Sequence, residues 1–353
     1  MTAAGYFAPV TGAAPVRIVL VGVGVMGRRW LEVVESHPDA ELVGVVDLDA
    51  DAAASAAASA HGEVASGADL GEVALRTAAD AVVNVTSVAA HHPVTTQALE
   101  AGLAVLGEKP LAADLAHAAD LAVQARRHGR LFMVSQSRRY HRGLHTLRAA
   151  TAGLGPVADA TAMMFRAPRF DGFRVEMDSP LIVDMAIHAF DGARFVLYQD
   201  PVAVYAEEHN PQWSWYRGAA SATAIFTMSG GAWFTLTGSW CTPGIPTSWN
   251  GQWRVNARDG AAVWDGEGTV RTGRDEEPGD GVAIGTTPER EDIAGALDAF
   301  LVALRSGTTP DGDVGENIAS LAMVTGAVES ARTGQRVDLV RMLDEARRSA
   351  AGA

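Results

Sequence analysis

Three sets of residues have the types and spacing to do chemistry. Gly22, Gly24 and Gly27 stand as GxGxxG within VRIVLVGVGVMGRRW, residues 16–30. In a strand, turn and helix unit, the first glycine permits a tight turn and the second lets backbone approach a pyrophosphate. The third lets helix and strand pack closely. Val25 and Met26 then open a helix whose unpaired N–H groups and positive dipole end face the phosphates. Asp47 ends the next strand, ELVGVVD, where an acid accepts hydrogen bonds from an adenosine ribose and repels a 2′-phosphate. The pattern points to a dinucleotide, and to NAD in preference to NADP.

The second set is Glu108, Lys109 and Pro110, just beyond a short apolar strand at 104–106. Open α/β sheets bind ligands at that edge, so Lys109 is placed to reach a substrate oxygen; an ordinary loop cation is the competing reading. The third set lies on SPLIVDMAIHAFDGARFVL, residues 179–197. Ser179 is a good N-cap and Pro180 suits the first helical position. The helix is apolar nearly all round, yet Asp184, His188 and Asp191 fall at i, i+4 and i+7 on one stripe. Ionisable groups on a buried helix are costly unless paired or used, which makes Asp184 and His188 catalytic candidates. Asp191 has Arg194 three residues on as an ion-pair partner. A metal needs at least three protein ligands, and no third histidine or cysteine lies near this pair, so no metal site is expected.

Arg166, Arg169 and Arg174 precede that helix and suit an anionic or hydroxylated substrate, or simply solvent. Trp215, Tyr216, Trp240 and Trp249 are candidates for contact with a substrate or a subunit, whereas Trp233 and Trp264 read as core.

Positioning these groups requires particular elements. Short apolar strands alternate with helical segments over 16–137, the signature of a doubly wound parallel sheet with six strands. Beyond Arg138, longer alternating segments (202–207, 219–228, 232–239, 253–256, 261–264 and 269–272) suggest an antiparallel sheet of about six strands with accompanying helices. The fold class is therefore α/β. The domains expected are a flexible extension over 1–15, an NAD-binding domain over 16–137 and a substrate-binding domain over 138–353.

Composition removes several function classes. The 353 residues carry a net charge of −14, so nucleic acid is an unlikely partner for want of a basic face. A single cysteine, Cys241, excludes an intramolecular disulfide and suits a reducing cytoplasm. The first fifteen residues lack the basic and apolar regions of a secretory signal, and no apolar run is long enough to span a membrane.

In order and spacing, GVGVMG, NVTSVAAHH in place of the usual T-P-N-x-x-H, EKP and DxxxHxxD resemble the Gfo/Idh/MocA family, which includes glucose-fructose oxidoreductase and inositol 2-dehydrogenase. The resemblance covers nearly the whole chain from Val16. It implies a Rossmann domain, a C-terminal α/β domain whose large, mostly antiparallel open sheet serves oligomerisation, a homodimer or homotetramer, and a small carbohydrate or polyol substrate. It further implies that Lys109 contacts the reacting hydroxyl, that Asp184 and His188 complete the site, and that Thr86 and His91, with Glu108, line the nicotinamide or its ribose. Ser87 replaces the usual proline, and Ser179 and Pro180 replace glycines that commonly precede the active helix. The expected activity is NAD-dependent oxidation of a secondary alcohol of a sugar, glycoside or polyol to a ketone, or the reverse. Two alternatives stand beside it. One is an NAD-dependent glycoside hydrolase working by transient oxidation and elimination. The other is a non-catalytic NAD-binding sensor or structural protein, which the retention of Lys109, Asp184 and His188 disfavours.

Overall fold

Short runs of valine, leucine and isoleucine, buried on both faces, build the first sheet in the computed structural model, which describes residues 5–274, 277–278 and 287–352. Its strands are β1 (Val16–Val21), β2 (Ala40–Val46), β3 (Ala65–Gly67), β4 (Ala81–Asn84), β5 (Ala104–Glu108) and β6 (Phe132–Ser135). They lie in the order β3-β2-β1-β4-β5-β6, all parallel, the doubly wound arrangement expected. The crossovers are α1 (Val25–Glu35), α2 (Ala50–Ser59), α3 (Leu70–Thr77), α4 (Val88–Glu100) and α5 (Leu115–His128). Asp49, Asp69 and Asp114 cap α2, α3 and α5 with their carboxylates. At α1 the cap is Gly24, which offers no side-chain acceptor to the first-turn N–H groups.

The second sheet contains β7 (Val157–Phe165), β8 (Pro201–His209), β9 (Ser221–Met228), β10 (Trp233–Ser239), β11 (Gln252–Ala257), β12 (Gly260–Trp264), β13 (Arg271–Arg274), β14 (Glu277–Pro278) and β15 (Val337–Asp338). Its order is β14-β13-β12-β11-β7-β10-β9-β8-β15, antiparallel except for the β7/β10 pair. The remaining helices are α6 (Arg142–Ala152), α7 (Phe173–Glu176), α8 (Ile187–Leu197), α9 (Asp292–Ser306), α10 (Val314–Thr333) and α11 (Leu339–Ala351). Alternation along the strands sends Phe226 and Phe234 inward, where their rings meet that of Phe190 on α8 at 4.8 and 6.4 Å. α6 approaches this sheet through Gly143, where a Cβ would lie only 2.4 Å from the Trp264 ring.

The opposite side of the same strands leaves Met163, Tyr205, Ile225 and Trp233 exposed. Trp264 is core as expected, but Trp233 is 60% exposed, because its place in β10 alternates with the buried Phe234. No helix among the described residues is long and apolar enough to cross a membrane.

The chain divides into two units in a way that differs from the linear domain reading. One unit is Met1–Ser137 with Arg290–Ile318 and Ala346–Ala353; the other is Arg138–Glu289 with Ala319–Glu345. The returning segment is tied into the first unit: His37 Nε2 lies 3.2 Å from Asp298 Oδ1, and Val134 N donates to Gly312 O at 2.9 Å. The N-terminal residues are not a loose extension where they are described. Gly5 N donates to Gly307 O and Val10 N to Leu304 O, while Phe7 is buried. The Tyr6 hydroxyl donates to Asp313 Oδ2 at 3.0 Å and accepts from Phe132 N at 3.3 Å. Burial and the neighbouring Asp313 push the Tyr6 phenol far above its ordinary value. Two adjacent aromatic side chains thus anchor a stretch that lacks any helical or strand periodicity.

Candidate active site

The three glycines of the first turn do three separate things. Gly22 has φ +97°, and a Cβ there would lie 2.7 Å from Val85 O, so both conformation and space require glycine. At Gly27 a Cβ would fall 2.0 Å from Gly22 O, which is the close helix-to-strand packing. Around Gly24 there is open space, and the first turn of α1 begins there without a side-chain cap. Val25 is 84% exposed and Met26 half-buried at that end. An uncapped helix start beside an open glycine fits a pyrophosphate.

Asp47 follows β2, and its Oδ2 accepts from Val23 N at 2.8 Å while Oδ1 accepts from Asp49 N at 3.0 Å. The carboxylate is therefore fixed against the glycine turn and stabilises it.

At the ends of β4 and β5 the same unit gathers Thr86, His91, Glu108 and Lys109. Glu108 Oε1 accepts from the indole N–H of Trp30 at 2.8 Å, and Oε2 accepts from Lys109 N at 3.1 Å. Burial raises the Glu108 carboxyl above its ordinary range, opposed by Trp30 and by the Lys109 charge. Trp30 is fully buried on α1, so one hydrogen bond ties the dinucleotide helix to the lysine segment. Local pattern did not single out Trp30, because its partner lies 78 residues away.

His91 is enclosed by backbone. Its Nδ1 is 2.7 Å from Pro110 O and its Nε2 3.2 Å from Thr86 O, and the residue is buried. Burial lowers its pKa, favouring the neutral ring. Both nitrogens face backbone carbonyls and a neutral ring donates to one of them, which holds it against the segments at Thr86 and Pro110. Thr86 Oγ1 donates to Asn84 Oδ1 at 2.7 Å.

In the second unit the predicted single helix begins as a π-helical segment, Leu181–Ala186, and continues as α8. Such widened turns occur mostly as local features at functional sites, and Asp184 sits within this one. Asp184 Oδ2 accepts from Arg174 Nε at 2.6 Å. The predicted three-residue stripe is divided. Asp191 is buried and pairs with Arg139, at 2.6 and 2.8 Å, and accepts from Ser320 Oγ at 2.7 Å. Arg194, the partner suggested by local spacing, donates to Asp200 at 2.7 and 3.2 Å and to Ser320 at 3.0 Å. Ser179 does not use its hydroxyl as a cap; it donates to Glu208 Oε1 at 2.7 Å.

His188 lines a cleft of the second unit with Arg138, His141, Trp249 and Asn250. Arg138 donates to Asn250 Oδ1 at 2.6 Å, and Asn250 Nδ2 donates to Gly266 O at 2.8 Å. Neither Arg138 nor Asn250 carried a signal in the sequence, since the fold alone brings the 3-10 turn Ser137–Tyr140 and a distant loop to one histidine.

The aromatic candidates separate by burial. Trp249 is half-buried at the cleft, and Trp215 is half-buried with its indole N–H donating to Pro168 O at 3.2 Å. Tyr216 and Trp240 are core residues, 3% and 2% exposed, and offer no surface to a substrate. The Tyr216 hydroxyl donates to Pro168 O, and burial pushes it up to about 12. Among the described residues no cluster of His, Cys, Asp and Glu could hold a metal ion.

Comparison with known proteins agrees with both units. Residues 16–136 match a family model described as the oxidoreductase family with an NAD-binding Rossmann fold, and residues 119–263 match the GFO/IDH/MocA C-terminal domain. An uncharacterised protein of Sinorhizobium fredii is 27% identical over 94% of this chain and 98% of its own length. An inositol 2-dehydrogenase of Rhizobium meliloti is 33% identical over 54% of this chain, a match spanning 58% of that enzyme. A solved oxidoreductase from Agrobacterium radiobacter, in complex with NAD+, L-tartaric acid and magnesium, superposes with a TM-score of 0.83 at 19% identity, covering 94% of this chain and all of that one. That likeness is one of fold.

Proposed function

Because the chain belongs to the Gfo/Idh/MocA oxidoreductase family, we propose that it is an NAD-dependent dehydrogenase oxidising a secondary alcohol of a sugar, glycoside or polyol to a ketone, or catalysing the reverse. The observation that carries this reading is Asp184 and His188 on a largely buried helix, with His188 opening to a cleft lined by polar and aromatic side chains. NAD, when bound, accepts the hydride. It would be held by the uncapped start of α1, by Gly24 and by Asp47.

His188 takes the hydroxyl proton, a role suited to an imidazole near neutral pH. Lys109 donates a hydrogen bond to the oxygen that becomes the carbonyl and stabilises its developing negative charge. Asp184, fixed by Arg174, orients the substrate or the imidazole. The reading also takes the protein to be cytoplasmic and a homodimer or homotetramer. The buried, unpaired Cys241 and the exposed apolar residues on the second sheet support it.

A panel of sugars, polyols and glycosides with NAD and NADP, followed for both reduced cofactor and released aglycone, tests the reaction. Lys109→Ala and His188→Ala are each expected to lower kcat by about 10²- to 10⁴-fold. Turnover near wild type in either variant removes that residue from the mechanism, and aglycone release without net NADH replaces dehydrogenation with elimination.

A further inference from the structure

The loop RAPRFDGFR, residues 166–174, carries three arginines and one aspartate in a chain of net charge −14. Each guanidinium is laid on an aromatic ring: Arg166 on Trp249 at 4.2 Å, Arg169 on Trp215 at 3.8 Å, and Arg174 on Phe173 and Phe170 at 4.8 and 5.2 Å. The rings are themselves connected, since Phe170 meets Trp240 at 5.4 Å and Trp249 at 6.5 Å. Arg166 also donates to Thr247 O at 2.7 Å.

Arginine side chains that only solvate a surface have no need of such fixing. Stacking occupies the face of a guanidinium and leaves its N–H edge, the part that pairs bidentately with a carboxylate or phosphate. Among the described residues, neither Arg166 nor Arg169 has a carboxylate within ion-pair distance, whereas Arg174 has Asp184 at 2.6 Å. What sets Arg166 and Arg169 apart is that each is stacked on an indole ring, on one loop, with no carboxylate at its N–H edge. The loop is also contiguous with the candidate site. Trp249, which carries Arg166, lines the cleft with His188, and Arg174 holds Asp184.

We propose that this loop receives an anionic group of the substrate, a carboxylate or a phosphate, so that the substrate is an acidic sugar or polyol derivative. The proposal rests on the dehydrogenase reading and narrows its substrate class. Asp184 would repel such a substrate on its own; Arg174 neutralises that carboxylate, and Arg166 and Arg169 supply the attraction.

The NAD-loaded protein, titrated calorimetrically with glucose, glucuronate and glucose 6-phosphate, tests the proposal. One acidic probe should bind at least about tenfold more tightly than glucose, the effect of one charge-assisted pair, and lose that advantage as salt is raised. Glucuronate or glucose 6-phosphate as the tighter probe identifies carboxylate or phosphate as the source. Arg169→Gln should remove most of the preference, and Arg169→Lys, which keeps the charge, should restore part of it. Thermal denaturation of each variant separates a lost contact from a lost fold. The proposal is overturned if neither acidic probe outbinds glucose, or if the preference survives in both Arg166→Gln and Arg169→Gln. NADH formation from neutral sugars without an acid preference would sink this proposal and leave the dehydrogenase reading intact.

Discussion

Glu108 holds a carboxyl group between the Trp30 indole and the Lys109 backbone inside the NAD-binding unit. Burial raises its folded pKa above the ordinary 4.5, so the folded protein grips the proton more tightly than the unfolded chain does. The stability this contributes is complete below the ordinary value and is lost as pH rises through the folded value. The stability of Glu108→Gln in urea denaturation should therefore improve relative to wild type as pH rises above the ordinary 4.5, because the amide does not titrate. A difference that stays flat across that range would show that the carboxyl titrates normally. Residues whose roles follow from backbone shape were legible in the sequence: Gly22 makes the tight turn and Gly27 the close helix-to-strand packing that their spacing implied. Residues whose roles depend on distant partners were not. Local spacing offered Arg194 to Asp191, but the buried partner is Arg139, 52 positions earlier.

The helix bearing Asp184 and His188 was recognisable as one element from its cap residues and apolar run. Its π-helical opening was not, since no residue type in LIVDMA compels a wider turn. Downstream, the Arg139–Asp191 pair and Ser320 fix α8 through charge-assisted hydrogen bonds in a buried setting. Removing one member takes from the other a buried, bidentate ion-pair partner. Arg139→Met is expected to cost about 3–5 kcal/mol in denaturant unfolding, and the double variant Arg139→Met/Asp191→Leu should recover much of that. A loss under about 1 kcal/mol in the single variant would mean that Asp191 is satisfied without Arg139. The longer strands of the second unit lie within about two residues of the segments read from alternation, but the sheet has nine strands where about six were expected, because β14 and β15, of two residues each, are too short to alternate. The same alternation misassigned Trp233, whose side of the sheet cannot be told from composition alone.

For the molecule as a whole, the exposed row of Met163, Tyr205, Ile225 and Trp233 crosses four neighbouring strands, β7, β10, β9 and β8. Like charges placed there should oppose self-association. If the proposed homodimer or homotetramer uses this face, Ile225→Glu/Trp233→Glu lowers the mass seen by light scattering to that of a monomer, with the folding transition retained. An unchanged mass would place any subunit contact elsewhere. The fold class and the doubly wound first sheet were readable from the alternation of strands and helices, but the order of the second sheet and the return of residues 290–318 and 346–353 to the first unit were not, since nothing in local composition marks which neighbour a segment will join. That return has a consequence for biosynthesis. The NAD-binding unit is encoded first yet finished last: a ribosome that has made residue 289 has released every strand of the parallel sheet but not the segments that pair with His37 and Val134. Its apolar flank must wait, uncovered, while the entire second sheet except β15 is being translated, and that interval is when the nascent chain is most exposed to aggregation and to chaperone capture.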